Sequence, residues 1–407
     1  MTAADSSHPR TAADSDHSSA PTDADLRAVR QRLRAELSPD PDAVLLNTAG
    51  IAPLCRPARR AIEEATQGLS RGWFAVDALF ADYSRARAVY ARLCGARPQD
   101  VAMFHTCAAA LSQVALGLTL RPGDEIVVWD QEYASNAYPW HEAARRTGAV
   151  VRVVPSEPDF SLAQERLHAA ITPRTRAVAV SWVQYKTGAV TDLQPLAQAC
   201  RAVGAWLVVD AIQALGLFPL DLMALGIDAV AGGTHKWLCG PLGHGFLALA
   251  PGRAAELRPI LQGAMTYGTP DDPVDPLRPA LADARRFEPG SPLLLGALGG
   301  AAAIELLLEL GIPRIHAAAL QLADLLIEGL RARGLRLLLP ATRGLRSPIV
   351  TFIPPGGAAG VERTAAALLA RRVACSRRAG GIRLAPHAFN TEEDLARFFQ
   401  ALDAVTG

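Results

Sequence analysis

The sequence predicts an α/β fold in which a mostly parallel, seven-stranded sheet is sandwiched by helices and followed by a smaller α+β unit. Three observations lead there. Apolar runs recur at 101–104, 125–130, 149–155, 176–183, 205–209, 228–231 and 246–249, and continuous apolar runs are what strands buried on both faces require. Stretches of helical character, such as 108–118, lie between strands, as the crossovers of a parallel sheet demand. At 407 residues the chain can bury one large core and a second, smaller one.

Taken in order, residues 1–24 are rich in Ser, Asp, Ala and Thr and lack an apolar centre. They read as a disordered tail, neither signal peptide nor membrane anchor. A helix is predicted over 26–37, and a short strand over 43–47 before the Thr48-Ala49-Gly50 turn. Helices follow at 58–68 and 76–94, with Trp73 and Phe74 in the loop between them, either packing under that loop or lining a pocket. Strand 246–249 is expected to close the sheet, and the Pro-rich stretch 263–279 to be a long connection. The apolar run from Pro292 to Ile304 is rich in Gly and Ala and broken by Glu305; it is too short for a membrane span and should be a packed helix. Helices at 293–310 and 315–333, strands at 335–339 and 349–353, and a final helix at 391–405 complete the smaller unit. The expected organisation is thus a tail (1–24), an N-terminal segment serving the small domain and the active site (25–75), a large domain (76–285) and a small domain (286–407).

Composition excludes several classes of function. Half the residues are hydrophobic and the net charge is +1. No basic block exceeds pairs such as Arg145-Arg146 or Arg377-Arg378, which read as solvated faces. Nucleic-acid and membrane partners are therefore not expected. Six cysteines are scattered without CxxC or Cys/His metal spacing, the pattern of reduced thiols in a cytoplasmic protein with no metal site.

The chemistry concentrates between residues 205 and 245. A buried strand delivers Asp210 at its C-terminal end, Gln213 follows, and a second short strand leads to Gly232-Gly233-Thr234-His235-Lys236. Of 41 basic residues only Lys186 and Lys236 are lysine, and an amine can form an imine where a guanidinium cannot. Alone, Lys236 could equally be a solvated loop residue. The D-x-x-Q element, with HK-x-x-x-GP-x-G-x-G beginning at His235, resembles the class V aminotransferase family of pyridoxal phosphate (PLP) enzymes of fold type I. SWVQYKTG and HKWLCGP look most like its isopenicillin N epimerase-like and cysteine desulfurase-like members.

The resemblance, which spans residues 43 to about 405, implies a role for each matching residue. Lys236 would carry PLP as an imine and then move the substrate Cα proton; Asp210 would keep the pyridine nitrogen protonated. Cys107, Ala108 and Ala109 open a helix directly after a strand, where free N–H groups and the helix dipole suit a phosphate, and His235 would assist. Tyr133 would stack on the ring, though it could be an ordinary core tyrosine. Tyr185 and Gln213 would lie near the phenolic oxygen. The element Arg286-Phe287-Glu288-Pro289-Gly290-Ser291 resembles the family segment whose hydroxyl reaches the neighbouring subunit's cofactor, so Ser291 implies a homodimer with shared active sites. In GGIRLAPHAFNT, Arg383 matches the residue that grips the substrate carboxylate, the alternative being a surface ion pair. Asn47 would lie near the substrate.

The implied function is PLP-dependent chemistry on an α-amino acid through Cα deprotonation, with a β-eliminating C–S lyase preferred. An aminotransferase or an epimerase is the alternative, and a non-catalytic protein of the same fold a further one. Desulfurases need a nucleophilic cysteine on a loop before the carboxylate-binding arginine. Cys375 lies only eight residues before Arg383, in a strand-like run, so that branch is disfavoured.

Overall fold

In the computed structural model, residues 21–72, 76–268, 277–340 and 343–406 are described. Most of the tail, the Trp73-Phe74 pair and much of the 263–279 connection lie outside them. The predicted tail is too long at its C-terminal end. Thr22 caps a helix over Asp23–Leu37 by a reciprocal pair: its hydroxyl accepts from the Asp25 N–H, and the Asp25 carboxylate accepts from the Thr22 N–H. This helix buries Leu26, Val29, Leu33 and Leu37, one stripe at helical spacing.

The large sheet consists of β1 (Val101–Phe104), β2 (Glu125–Trp129), β3 (Val150–Val154), β4 (Thr175–Ser181), β5 (Trp206–Asp210), β6 (Ala229–Gly233) and β7 (Gly245–Leu249). Their order is β1-β7-β6-β5-β4-β2-β3. The five strands from β6 to β3 are parallel, whereas β7 runs antiparallel to both β1 and β6. Thus β7 does not end the sheet; it lies inside it. The link from Gly233 to Gly245 is too short to carry a crossover helix, so the strand returns beside β6 in the opposite sense.

Alternate residues of the central strands enter different cores. Val178, Val180, Leu207 and Val209 pack on one face, and Ala177, Ala179, Trp206 and Val208 on the other. This is why the runs read as uniformly apolar. The Gly/Ala-rich run is the helix Leu294–Leu310, packed against the helices Arg56–Ser70 and Val76–Cys94. A Cβ on Gly299 would lie 2.7 Å from the Ile62 side chain, and one on Gly300 would collide with the Tyr90 hydroxyl, so small residues are what let three helices approach. No single helix among the described residues is long and apolar enough to cross a membrane.

A second sheet, β8 (Arg336–Leu338), β9 (Val350–Ile353), β10 (Ser376–Arg378) and β11 (Gly381–Leu384), is antiparallel in the order β10-β11-β9-β8. It shares its own core with Leu322, Leu326 and Phe398. A helix at Gly357–Ala370 escaped the sequence reading because its Ala/Gly-rich stretch carries little apolar periodicity; it buries Gly360, Val361, Thr364 and Leu368.

Candidate active site

The register of the parallel strands puts the C-terminal ends of β4, β5 and β6 side by side, with Ser181 opposite Asp210 and Asp210 opposite Ala231. Crevices at such ends are where open α/β sheets bind ligands. A cavity of about 310 Å³ opens there. Its wall is formed by Ala49, Gly50, Thr106, Cys107, Ala108, Tyr133, Ser135, Ser181, Val183, Tyr185, Asp210, Ile212, Gln213, His235 and Lys236, with Arg378 and Arg383 arriving from the second sheet.

Asp210 is buried, and its Oδ1 accepts from the Ile212 N–H at 3.0 Å and from the Cys107 thiol at 3.5 Å. Burial pushes this carboxyl upward, against the pull of the Ile212 N–H and Lys236. Among the described residues no cation pairs with it directly, Lys236 acting only through its field, and a protonated ring nitrogen would supply that partner. Desolvation lowers the Lys236 ammonium to about 8, with Asp210 opposing. The amine is therefore available as a nucleophile and base near neutral pH. His235 is held down to about 4, chiefly by burial and then by Lys236. Its buried Nδ1 has no partner among the described residues.

Cys107 and Ala108 begin the helix Cys107–Gly117 at the cavity wall, and their N–H groups precede the first intrahelical bond. Ala109 differs from expectation. Its N–H is consumed by the Thr106 hydroxyl at 3.0 Å, and Ala109 borders a separate, mainly apolar cavity. Thr106, an N-cap residue legible from its place before the apolar run, was missed. Gly245 supports this turn from behind: a Cβ there would lie 2.5 Å from the Thr106 carbonyl carbon and 2.7 Å from the Cys107 nitrogen.

Tyr133 and Tyr185 meet edge to face, with centroids 5.0 Å apart, and Tyr133 is 46% exposed at the opening. Gln213 reaches the wall, but both ends of its amide are engaged: Nε2 donates to the Ala49 carbonyl at 3.0 Å, and Oε1 accepts from the Trp237 indole at 2.8 Å. It ties the N-terminal segment to the turn that carries Lys236. Asn47 does not line the cavity; its Oδ1 accepts at 2.7 Å from the hydroxyl of Ser376, which stands opposite Arg383 in the β10-β11 hairpin. Ser291 lies away from the site in the same chain, on the neighbouring cavity of about 410 Å³. Lys186, the rival amine, is outside the cavity wall, with Nζ 5.7 Å from the Tyr185 ring centroid.

Arg383 is 1% exposed. Its Nη1 donates to the Tyr185 carbonyl at 2.8 Å, while buried Nε and Nη2 have no partner among the described residues. Burial, and then Arg378, lower its guanidinium to about 10. A buried, half-satisfied guanidinium is costly unless an anion completes it, so the surface ion pair is excluded. The hairpin carrying it turns on Ala379 and Gly380, at φ 51° and 71°, the tight two-residue geometry. Cys375 is not on the cavity wall, and burial raises its thiol to about 11.

Glu132, also missed, sits behind the site. Its carboxylate accepts from the Ser181 N–H and hydroxyl, the Asn136 amide and the Gln184 amide at 2.6–3.0 Å. Burial nevertheless raises it to about 7. Since the folded state holds this proton more tightly than the unfolded chain, stability from this group should fall as pH rises from about 4.5 to about 7, by up to about 3 kcal/mol. Chemical denaturation across that window should show wild type losing stability relative to Glu132→Gln; parallel curves would contradict the assignment.

The model of the class V aminotransferase family matches residues 70–396. The chain belongs to the class V aminotransferase family. Isopenicillin N epimerase of Streptomyces clavuligerus is 33% identical to this family member over 396 residues, 93% of this chain and 98% of that one. The crystal structure of the cysteine desulfurase CsdA from Escherichia coli superposes with a TM-score of 0.84 at 25% identity, covering 92% of this chain and 98% of that one. C-DES, solved as a lysine-to-alanine variant with glycine covalently linked to its PLP cofactor, shares the fold with a TM-score of 0.83 at 23% identity, over 92% and 99% of the two chains. This class V family member is a PLP-dependent enzyme of lyase or aminotransferase-like type with the type I fold. The residues present fit the cofactor: a low-pKa amine, a buried acid wanting a cation, an unpartnered His235 Nδ1 and two free N–H groups at a helix start share one cavity.

Proposed function

We propose that the enzyme acts on an α-amino acid whose Cα proton is taken by Lys236, and that the reaction ends in β-elimination of a group attached through sulfur. The convergence of Lys236, Asp210 and Arg383 on one cavity carries this reading. PLP, when bound, supplies an aldehyde for the substrate amine and a ring that takes up the electron pair left at Cα. Asp210 would hold the ring nitrogen's proton, the Cys107 and Ala108 N–H groups with His235 would bind the phosphate, and Tyr133 and Tyr185 would hold the ring between the cavity walls. Arg383 closes on the α-carboxylate through Nε and Nη2 and so fixes Cα near the Lys236 amine.

Elimination needs one base: it takes the Cα proton, the Cβ–S bond breaks with its electron pair going to sulfur, and the base returns the proton to the departing thiolate; the remaining aminoacrylate hydrolyses to pyruvate and ammonia. Lys236 is the only aliphatic amine on the cavity wall among the described residues, and His235, held near 4, is a weak base. Epimerisation requires proton delivery to the opposite face as well, but the full-length similarity to isopenicillin N epimerase keeps it as the second reading. Persulfide chemistry is disfavoured because the two-residue turn leaves no loop for a nucleophilic cysteine. S-alkyl-L-cysteines should yield pyruvate, ammonia and thiol in equal amounts. Cα exchange with inversion in deuterated water and no pyruvate would replace elimination with epimerisation; keto-acid-dependent amino transfer would replace it with transamination.

The proposal includes a cytoplasmic homodimer in which exposed Ser291 reaches the partner's phosphate site. A fully active monomer in sedimentation velocity would contradict the shared site.

A further inference from the structure

The cavity has more positive charge on its substrate side than one amino-acid carboxylate uses. Arg383 and Arg378 stand on the same face of the β10-β11 hairpin. Ser376 pairs with Arg383, and Arg378 follows Ser376 by two residues, so the two arginines are diagonal cross-strand neighbours. Both line the cavity. Arg378 pairs with no carboxylate among the described residues; its one hydrogen bond runs from Nη1 to the Arg377 carbonyl at 2.7 Å. Arg377, by contrast, faces away and pairs with Glu362. Among the described residues Asp210 is the only acid on the wall, and it serves the end of the cavity beside Lys236. The phosphate cradle at Cys107 and Ala108 belongs to the large sheet, whereas both arginines come from the second one, so the cofactor's own anion does not explain Arg378.

We propose that Arg378 is a second anion site, and that the substrates are α-amino acids whose side chain carries its own carboxylate or equivalent acid group. This rests on Arg383 holding the α-carboxylate. Arg383, buried and fixed through Tyr185, provides the invariant grip, and Arg378, exposed on the hairpin turn, reads the distal group. Like charges placed diagonally on one face repel each other, and a doubly anionic ligand relieves both at once. Under the elimination reading, the distal acid sits on the departing thiol.

The test uses glutarate and butyrate, which share one carboxylate and differ by the second, titrated calorimetrically into the PLP-loaded protein. Wild type should bind glutarate on the order of tenfold more tightly than butyrate, one charge-assisted contact. Arg378→Gln should erase that preference and leave butyrate unchanged, while Arg377→Gln, a control for general surface charge, should change neither. Arg383→Gln should weaken both ligands. Glutarate that binds no better than butyrate or not at all, or a preference that survives Arg378→Gln, overturns the second site. Indifference of both ligands to Arg383→Gln would instead overturn the carboxylate grip on which the functional reading stands.

Discussion

Lys236→Ala is expected to abolish turnover. The side chain is asked to do two things, to carry the cofactor covalently and to move the Cα proton, and removal of positioned proton transfer alone costs about 10²–10⁴-fold. The geometry makes the loss irreplaceable from within the site. His235 is too weak a base at about 4, and Lys186 lies outside the cavity wall beside the Tyr185 ring. Lys236→Arg should be as inactive, because a guanidinium keeps the positive charge opposite Asp210 but neither forms an imine nor releases a proton at working pH. Turnover within a few fold of wild type in either variant, measured as product per cofactor bound, would remove Lys236 from the reaction.

Arg383→Ala should raise KM for any α-amino acid by about 10- to 100-fold, the value of one charge-assisted hydrogen bond at about 1.5–3 kcal/mol. The effect on kcat should be smaller, because the base and the acid that hold the reacting centre remain. Two buried guanidinium nitrogens without partners among the described residues are the basis of this expectation. An unchanged KM in steady-state kinetics would mean that the guanidinium serves only to tie the second sheet to the Tyr185 carbonyl.

Much of this was legible because strand ends announce themselves. Asp210 follows an unbroken apolar run and Lys236 follows a glycine pair, so both could be placed at the sheet's C-terminal edge from order alone. The mixed sheet was less legible. Nothing in the composition of 246–249 distinguishes an inner antiparallel strand from an edge one; only the short link from Gly233 does. Thr106 left the ordinary signature of a helix cap. Glu132 left none, since its importance arises from burial against Ser181 and Gln184 across strands distant in sequence. Arg378 read as half of a solvated pair because alternation along β10, which sends Arg377 to Glu362 and Arg378 to the cavity, emerges only once the hairpin register is known. Gln213 lines the cavity, but its amide is spent on Ala49 and Trp237, which no spacing reveals.

The covalent carrier is tested most directly by reducing the PLP-loaded protein with borohydride and mapping the peptides by mass spectrometry. One phosphopyridoxyl group per chain is expected on the peptide containing Lys236; the group on Lys186, or no stable label in a protein that has bound the cofactor, would contradict the assignment.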